Sequence, residues 1–150
     1  MSMTIKQHVK HWINSSDDSL KDMRASIKNR RRSLAMFAGH QSLEKIFKAI
    51  LAANDVQIVY THDLVKLAQS CGYIINAGQQ TELATISGFY IATKYSSVKS
   101  QFQKQCTNQF VDTWSAIIRK WQKIIKQHVE QLYGTLPDKK PANNPENTFI

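Results

Sequence analysis

The residues able to do chemistry fall in three short stretches. "HQSLEKIFKAIL", residues 40–51, carries His40, Glu44, Lys45 and Lys48. Glu44 and Lys48 stand four apart with the acid first, the order a helix favours for an ion pair. His40 falls within the apolar arc of the same helix. That pattern permits two roles for each. His40 either contacts phosphate or a partner, or packs half-buried. Glu44 and Lys48 either shape a charged pocket or form a surface pair worth a few tenths of a kcal/mol. "YTHDL", residues 60–64, sets His62 beside Asp63. The two make either an acid–base pair or, more simply, the cap of a following helix. "KYSSVK", residues 94–99, places Lys94, Tyr95 and Lys99 at a junction. If the fold brings Lys45, Lys48, Lys94 and Lys99 together, Tyr95 can stack a base while the lysines meet phosphate. "KNRRR", residues 28–32, is a solvated helix end or a polyanion patch.

Positive charge is general. Twenty Lys and Arg against eleven Asp and Glu leave +9 at pH 7, a balance that attracts nucleic acid, nucleotides or an acidic partner. Other chemistries lack their residues. There is no Gly-x-x-x-x-Gly-Lys phosphate loop. His8, His11, His40, His62 and His128 form no metal-binding pattern, and no cofactor is expected. Cys71 and Cys106 offer neither metal spacing nor a disulfide framework; read as buried, reduced thiols, they favour a cytoplasmic protein. No apolar run approaches the roughly 20 residues of a membrane span, and "MSMTIKQHVKHW" lacks the apolar block of a secretory signal.

These stretches must be held by helices. All three prolines, Pro137, Pro141 and Pro145, lie in the last stretch, and the body before them repeats apolar residues every three to four positions. The spacing predicts an all-α domain over residues 1–133, a four- to five-helix up-and-down bundle, followed by a mobile polar tail over 134–150. A first helix is expected to begin near "NSSDDSLKDM" with Ser15 as cap, after a short helical lead-in. The second carries Met36, Leu43, Ile46, Phe47, Ile50 and Leu51 on one arc. Thr61 or Asp63 caps a short third helix that Gly72 stops, with "VQIVY" as connection. Thr81 is expected to cap a fourth, and a last helix runs through Phe102, Cys106, Phe110, Trp114, Ile117, Trp121, Ile124, His128 and Leu132.

In this order, the blocks "FAGHQSLEKIFKAIL", "YTHDLVKLAQSCGY" and "ISGFYIATKYSSVKSQFQKQCT" resemble the HEPN domains of prokaryotes. The Gln-x-x-Glu-Lys-x-x-Lys-Ala pattern followed by Thr-His-Asp-Leu carries the resemblance, which covers roughly residues 12 to 133. It implies a helical bundle that often dimerises and pairs with a minimal nucleotidyltransferase, frequently as a toxin–antitoxin unit. Some members are metal-independent ribonucleases, and others were proposed to bind nucleotides. Catalytic members use an Arg followed after four to six residues by a His. The His moves a proton during attack of the ribose 2′-hydroxyl, and the Arg stabilises the developing charge. The similar block, usually Arg-Tyr-Pro, here reads Lys94-Tyr95-Ser96, and the positions due a His are Lys99, Ser100 and Gln101. Lysine is a point charge, not a bidentate fork. The ribonuclease motif is therefore absent. The expectation is a non-catalytic, homodimeric nucleotide-, RNA- or partner-binding protein; the alternative is a diverged ribonuclease in which His62 or His40 works near Lys94.

Overall fold

The structure is a computed structural model and describes residues 2–142. Among these residues there are six helices and no strand: α1 (Ile5–Lys28), α2 (Arg32–Ala53), α3 (Leu64–Ser70), α4 (Ala77–Lys94), α5 (Ser96–Gln105) and α6 (Asn108–Tyr133). The all-α bundle is as expected, with one more helix than the upper count.

Helix α1 does not start at Ser15. Thr4 accepts from the Gln7 amide while the Gln7 side chain accepts from the Thr4 amide, a reciprocal cap. The supposed lead-in and first helix are one rod. Ser16, mid-rod, is buried and donates to the Ser42 carbonyl at 2.7 Å, tying α1 to α2. A three-residue turn, with Arg30 at φ 60°, reverses the chain into α2.

Helix α2 is the axis of the bundle. From Leu43 to Ala53 every residue but Lys45 is buried, because α1, α3, α4, α5 and α6 all pack on it. Its N-terminal half approaches its neighbours closely at Gly39. A Cβ there would lie 2.5 Å from Ile118 Cδ1 on α6 and 3.0 Å from Met23 Sδ on α1. The consequence for chemistry is direct: polar side chains on this helix are buried too, Glu44 and Lys48 among them.

Asp63 caps α3, its Oδ1 accepting from the Val65 and Lys66 amides at 3.0 and 3.3 Å. Gly72, at φ +86°, follows the end of α3, a left-handed position suited to glycine. Helix α4 begins earlier than Thr81: Asn76 and Gln79 form its capping box, and Thr81 bonds back to the Ala77 carbonyl.

The last helix is two. Thr107 accepts from the Phe110 amide and starts α6 afresh after α5. The buried stripe of α6 is also displaced by one residue. Val111, Ser115, Ile118, Gln122, Ile125 and Val129 face the core, whereas Phe110, Trp114, Ile117 and Trp121 lie at its margin and Ile124 is exposed. Polar Ser115 and Gln122 sit within that stripe. Gln122 donates to Asp17 Oδ1 at 2.9 Å and to Ser16 Oγ at 3.3 Å, so its burial is satisfied.

After α6, the Ile5 amide donates to the Lys139 carbonyl at 2.8 Å, and the Ala142 amide donates to the Asp55 carboxylate. The rest of the expected mobile tail, 143–150, lies outside the described residues. No helix among the described residues is long and apolar enough to cross a membrane.

Candidate functional site

The buried face of α2 sets a carboxylate between an ammonium and an imidazole. Glu44 and Lys48 are 5% and 4% exposed. Lys48 Nζ donates to Glu44 Oε2 at 3.2 Å, and His62 Nδ1–H donates to Glu44 Oε1 at 2.6 Å. The pair is therefore not the surface pair that its spacing alone suggested. The Lys48 ammonium also lies 5.3 Å from the centre of the Trp12 ring, within cation–π range.

His62 reaches Glu44 because its own backbone is held. His40, one turn before Glu44 and fully buried, donates through Nε2–H to the His62 carbonyl at 2.8 Å. Its Nδ1 lies 3.1 Å from Gln41 Oε1. Burial lowers the His40 pKa and outweighs the raising influence of the His62 carbonyl and Glu44. His40 is thus a buried, hydrogen-bonded positioning residue. Two residues on, the Leu64 amide at the start of α3 donates to Ser87 Oγ on α4 at 2.9 Å, which ties the end of the α2–α3 loop to α4.

With Nδ1 committed to Glu44, Nε2 is the His62 ring nitrogen left for a ligand, and the side chain is 52% exposed. Tyr90 of α4 stacks on that imidazole, centroids 3.8 Å apart and planes 18° from parallel. Phe37 of α2 stacks on Tyr90 at 5.7 Å. The Lys94 ammonium, one turn beyond Tyr90, lies 5.1 Å from the Phe37 centroid and 5.9 Å from that of Tyr90. The result is an aromatic row ending in a cation, resting on a buried acid.

Of the residues singled out in the sequence, His40, Glu44, Lys48 and His62 come together, and Lys94 joins them through Tyr90 and Phe37. The others go elsewhere. Asp63 caps α3 and does not pair with His62. Lys45 turns to α1 and donates to Ser19 at 2.9 Å. Tyr95 is exposed, and its carbonyl accepts from the Val98 and Lys99 amides at the start of α5. Lys99 lines a groove with Arg30, Arg31 and Arg32, so the four lysines do not form one patch.

Phe37 and Tyr90 were not read as site residues. Their one local signal is the i, i+4 spacing of Tyr90 to Lys94. Burial pushes the Cys71 thiol up to about 12 and that of Cys106 up to about 11, so neither is a thiolate nucleophile at neutral pH. Among the described residues no group of three His, Cys, Asp or Glu side chains could hold a metal ion.

Fold and site together define an all-α bundle with a carboxylate-anchored histidine on an aromatic, cationic surface. The family model of the HEPN domain matches residues 9–131. The chain belongs to the HEPN family. No curated protein and no solved structure gives a match.

Proposed function

We propose that this HEPN domain binds a nucleotide or RNA, without cleaving it, on the surface made by Phe37, Tyr90, His62 and Lys94. The observation that carries the reading is the His62–Tyr90 stack with Lys94 beside it. Aromatic faces take bases with little regard to sequence, and a cation at the end of the row takes phosphate. His62 is held from below by Glu44, so the platform needs little ordering when a ligand arrives. The missing His after Lys94, at the spacing that catalytic relatives keep, favours binding over cleavage. Titration with adenosine monophosphate should quench or shift Tyr90 and His62 signals, and Tyr90→Ala should abolish that response. An unchanged titration in Tyr90→Ala would remove this surface from the function.

The protein is further proposed to act in the cytoplasm as a homodimer with a minimal nucleotidyltransferase partner, in a toxin–antitoxin-type unit. Family membership supports that reading. Light scattering at twice the 17.2 kDa chain mass, and co-purification of a nucleotidyltransferase encoded next to this gene, are the expected results. A monomer at high micromolar concentration would refute the dimer, and a neighbouring gene of another kind would refute the partner.

One observation favours a second reading, a metal-independent ribonuclease. Glu44 orients His62 by a 2.6 Å hydrogen bond, the arrangement a general base requires. There Nε2 would take the 2′-hydroxyl proton as that oxygen attacks phosphorus and the 5′-oxygen leaves, with Lys94 meeting the charge. Metal-free cleavage of mixed RNA that vanishes in both His62→Ala and Glu44→Gln would establish this alternative.

A further inference from the structure

The turn between α1 and α2 carries an unusual concentration of charge. Arg30, Arg31 and Arg32 line a groove of about 460 Å³ with Lys99 of α5 opposite, and no carboxylate contributes to its lining. Among the described residues no ion pair engages these four cations; Arg32 Nε donates to the neutral Asn108 Oδ1 at 2.8 Å, which leaves its charge unpaired. Like charges held close repel, and an anion between them relieves the repulsion. The turn also shows backbone strain. Arg30 sits at φ 60°, where glycine or asparagine is accommodated more easily. A strained residue that bears a cation and faces a groove points to a retained role for the side chain. Helix α2 starts here with no side-chain cap, so its positive end adds to the field.

The groove joins the aromatic row. Leu34 and Thr93 line it. Phe37 lies three residues on from Leu34, and Tyr90 three residues back from Thr93. Base platform and basic groove are thus about one helical turn, ~5 Å, apart along both helices. That separation suits adjacent parts of one chain-like ligand better than two separate ligands.

We infer that the Arg30–Arg31–Arg32–Lys99 groove is a binding site for consecutive phosphates of a single-stranded oligonucleotide, one of whose bases stacks at Tyr90. The inference rests on the binding reading above and narrows its ligand, a nucleotide or RNA, to a single-stranded chain. Guanidinium forks match phosphate oxygens in pairs, and the nearby stacking surface distinguishes this site from one built for an acidic protein.

The test uses the full chain and a fluorescein-labelled decauridylate, followed by anisotropy between about 50 and 200 mM salt. Arg30→Gly removes a cation while relieving the left-handed strain, so loss of binding cannot be attributed to loss of fold. Arg30→Gly with Lys99→Gln should weaken oligonucleotide binding at least about tenfold at the lowest salt and reduce the salt slope by ~1.4, two single-strand phosphate contacts. Adenosine monophosphate binding should be unchanged in the same double variant. Oligonucleotide affinity within twofold of the parent would overturn the inference. So would a polyglutamate peptide that binds as tightly as the oligonucleotide and loses affinity in the same variant, because the groove would then fit an acidic protein. Tyr90→Ala separates the two readings. If it leaves mononucleotide binding intact while the double variant still loses the oligonucleotide, the aromatic surface fails and the phosphate groove stands.

Discussion

Replacing Lys48 by Met should cost about 3 kcal/mol of stability, at the lower end of the range for breaking a buried ion pair. Lys48 and Glu44 have side chains only 6% exposed, and the ammonium is 3.2 Å from Oε2. Met preserves the unbranched stem beside Trp12 and removes the charge, so the loss reports the uncompensated carboxylate and little packing. The lower end applies because Glu44 keeps its 2.6 Å bond to His62, a residue open to solvent. For a chain of this size each kcal/mol moves the midpoint by about 2–4 °C, so a fall of about 6–12 °C is expected. Glu44→Gln alone should also destabilise. The double variant Glu44→Gln with Lys48→Met should recover much of the loss, giving a coupling of about 2 kcal/mol in a double-mutant cycle. Urea unfolding of the four proteins supplies the cycle. A coupling below about 0.5 kcal/mol would show that the two charges are solvated, and the buried-acid account of the site would fail.

Gly39→Ala should destabilise by about 1–3 kcal/mol through overpacking, since its Cβ would stand 2.5 Å from Ile118 Cδ1. Adding Ile118→Val, which deletes that methyl, should restore part of the loss in the same unfolding assay. Acid should weaken the fold above any general carboxylate effect. Burial lowers the pKa values of His40, His8 and His11 below 6.5, so below that pH the unfolded chain binds protons the folded chain refuses. Their contribution is full above 6.5 and is lost as pH falls; urea midpoints at descending pH should fall accordingly, and a midpoint that rises on acidification would contradict it.

Periodicity exposed the helices and concealed their joints. Apolar residues at steps of three and four continue across Cys106 and Thr107 because α5 and α6 both pack inward there, through Phe102, Cys106 and Val111. The break lies in Thr107, whose hydroxyl offers the chain a cap instead of another turn. The same competition moved the start of α1: Ser15 looks like a cap, yet Thr4 has Gln7 three residues on. On α6 the pattern drew attention to the large aromatics. These lie at the margin, and the centre of the face holds Ser115 and Gln122, which count against burial until Asp17 and Ser16 are seen to satisfy Gln122.

The site was legible only where its parts share a helix. Glu44 and Lys48 announce themselves by spacing, but whether that face is wet or buried depends on five other helices closing around α2. His62 is eighteen residues from Glu44, and no local rule joins them. It is the His40 bond to the His62 carbonyl, together with Ser87 on α4, that brings the loop back. Charge misled in the opposite direction. Lys45, Lys48, Lys94 and Lys99 look like one basic patch, yet each is directed by a different neighbour: Ser19, Glu44, the Phe37–Tyr90 rings and the arginine groove. The run of arginines at residues 30–32 reads as either a solvated helix end or a polyanion patch, and its sequence does not show that α5 folds Lys99 against it. Net charge therefore suggests only the sign of the proposed ligand, while the placing of each cation is decided by the packing of α4 and α5 on α2.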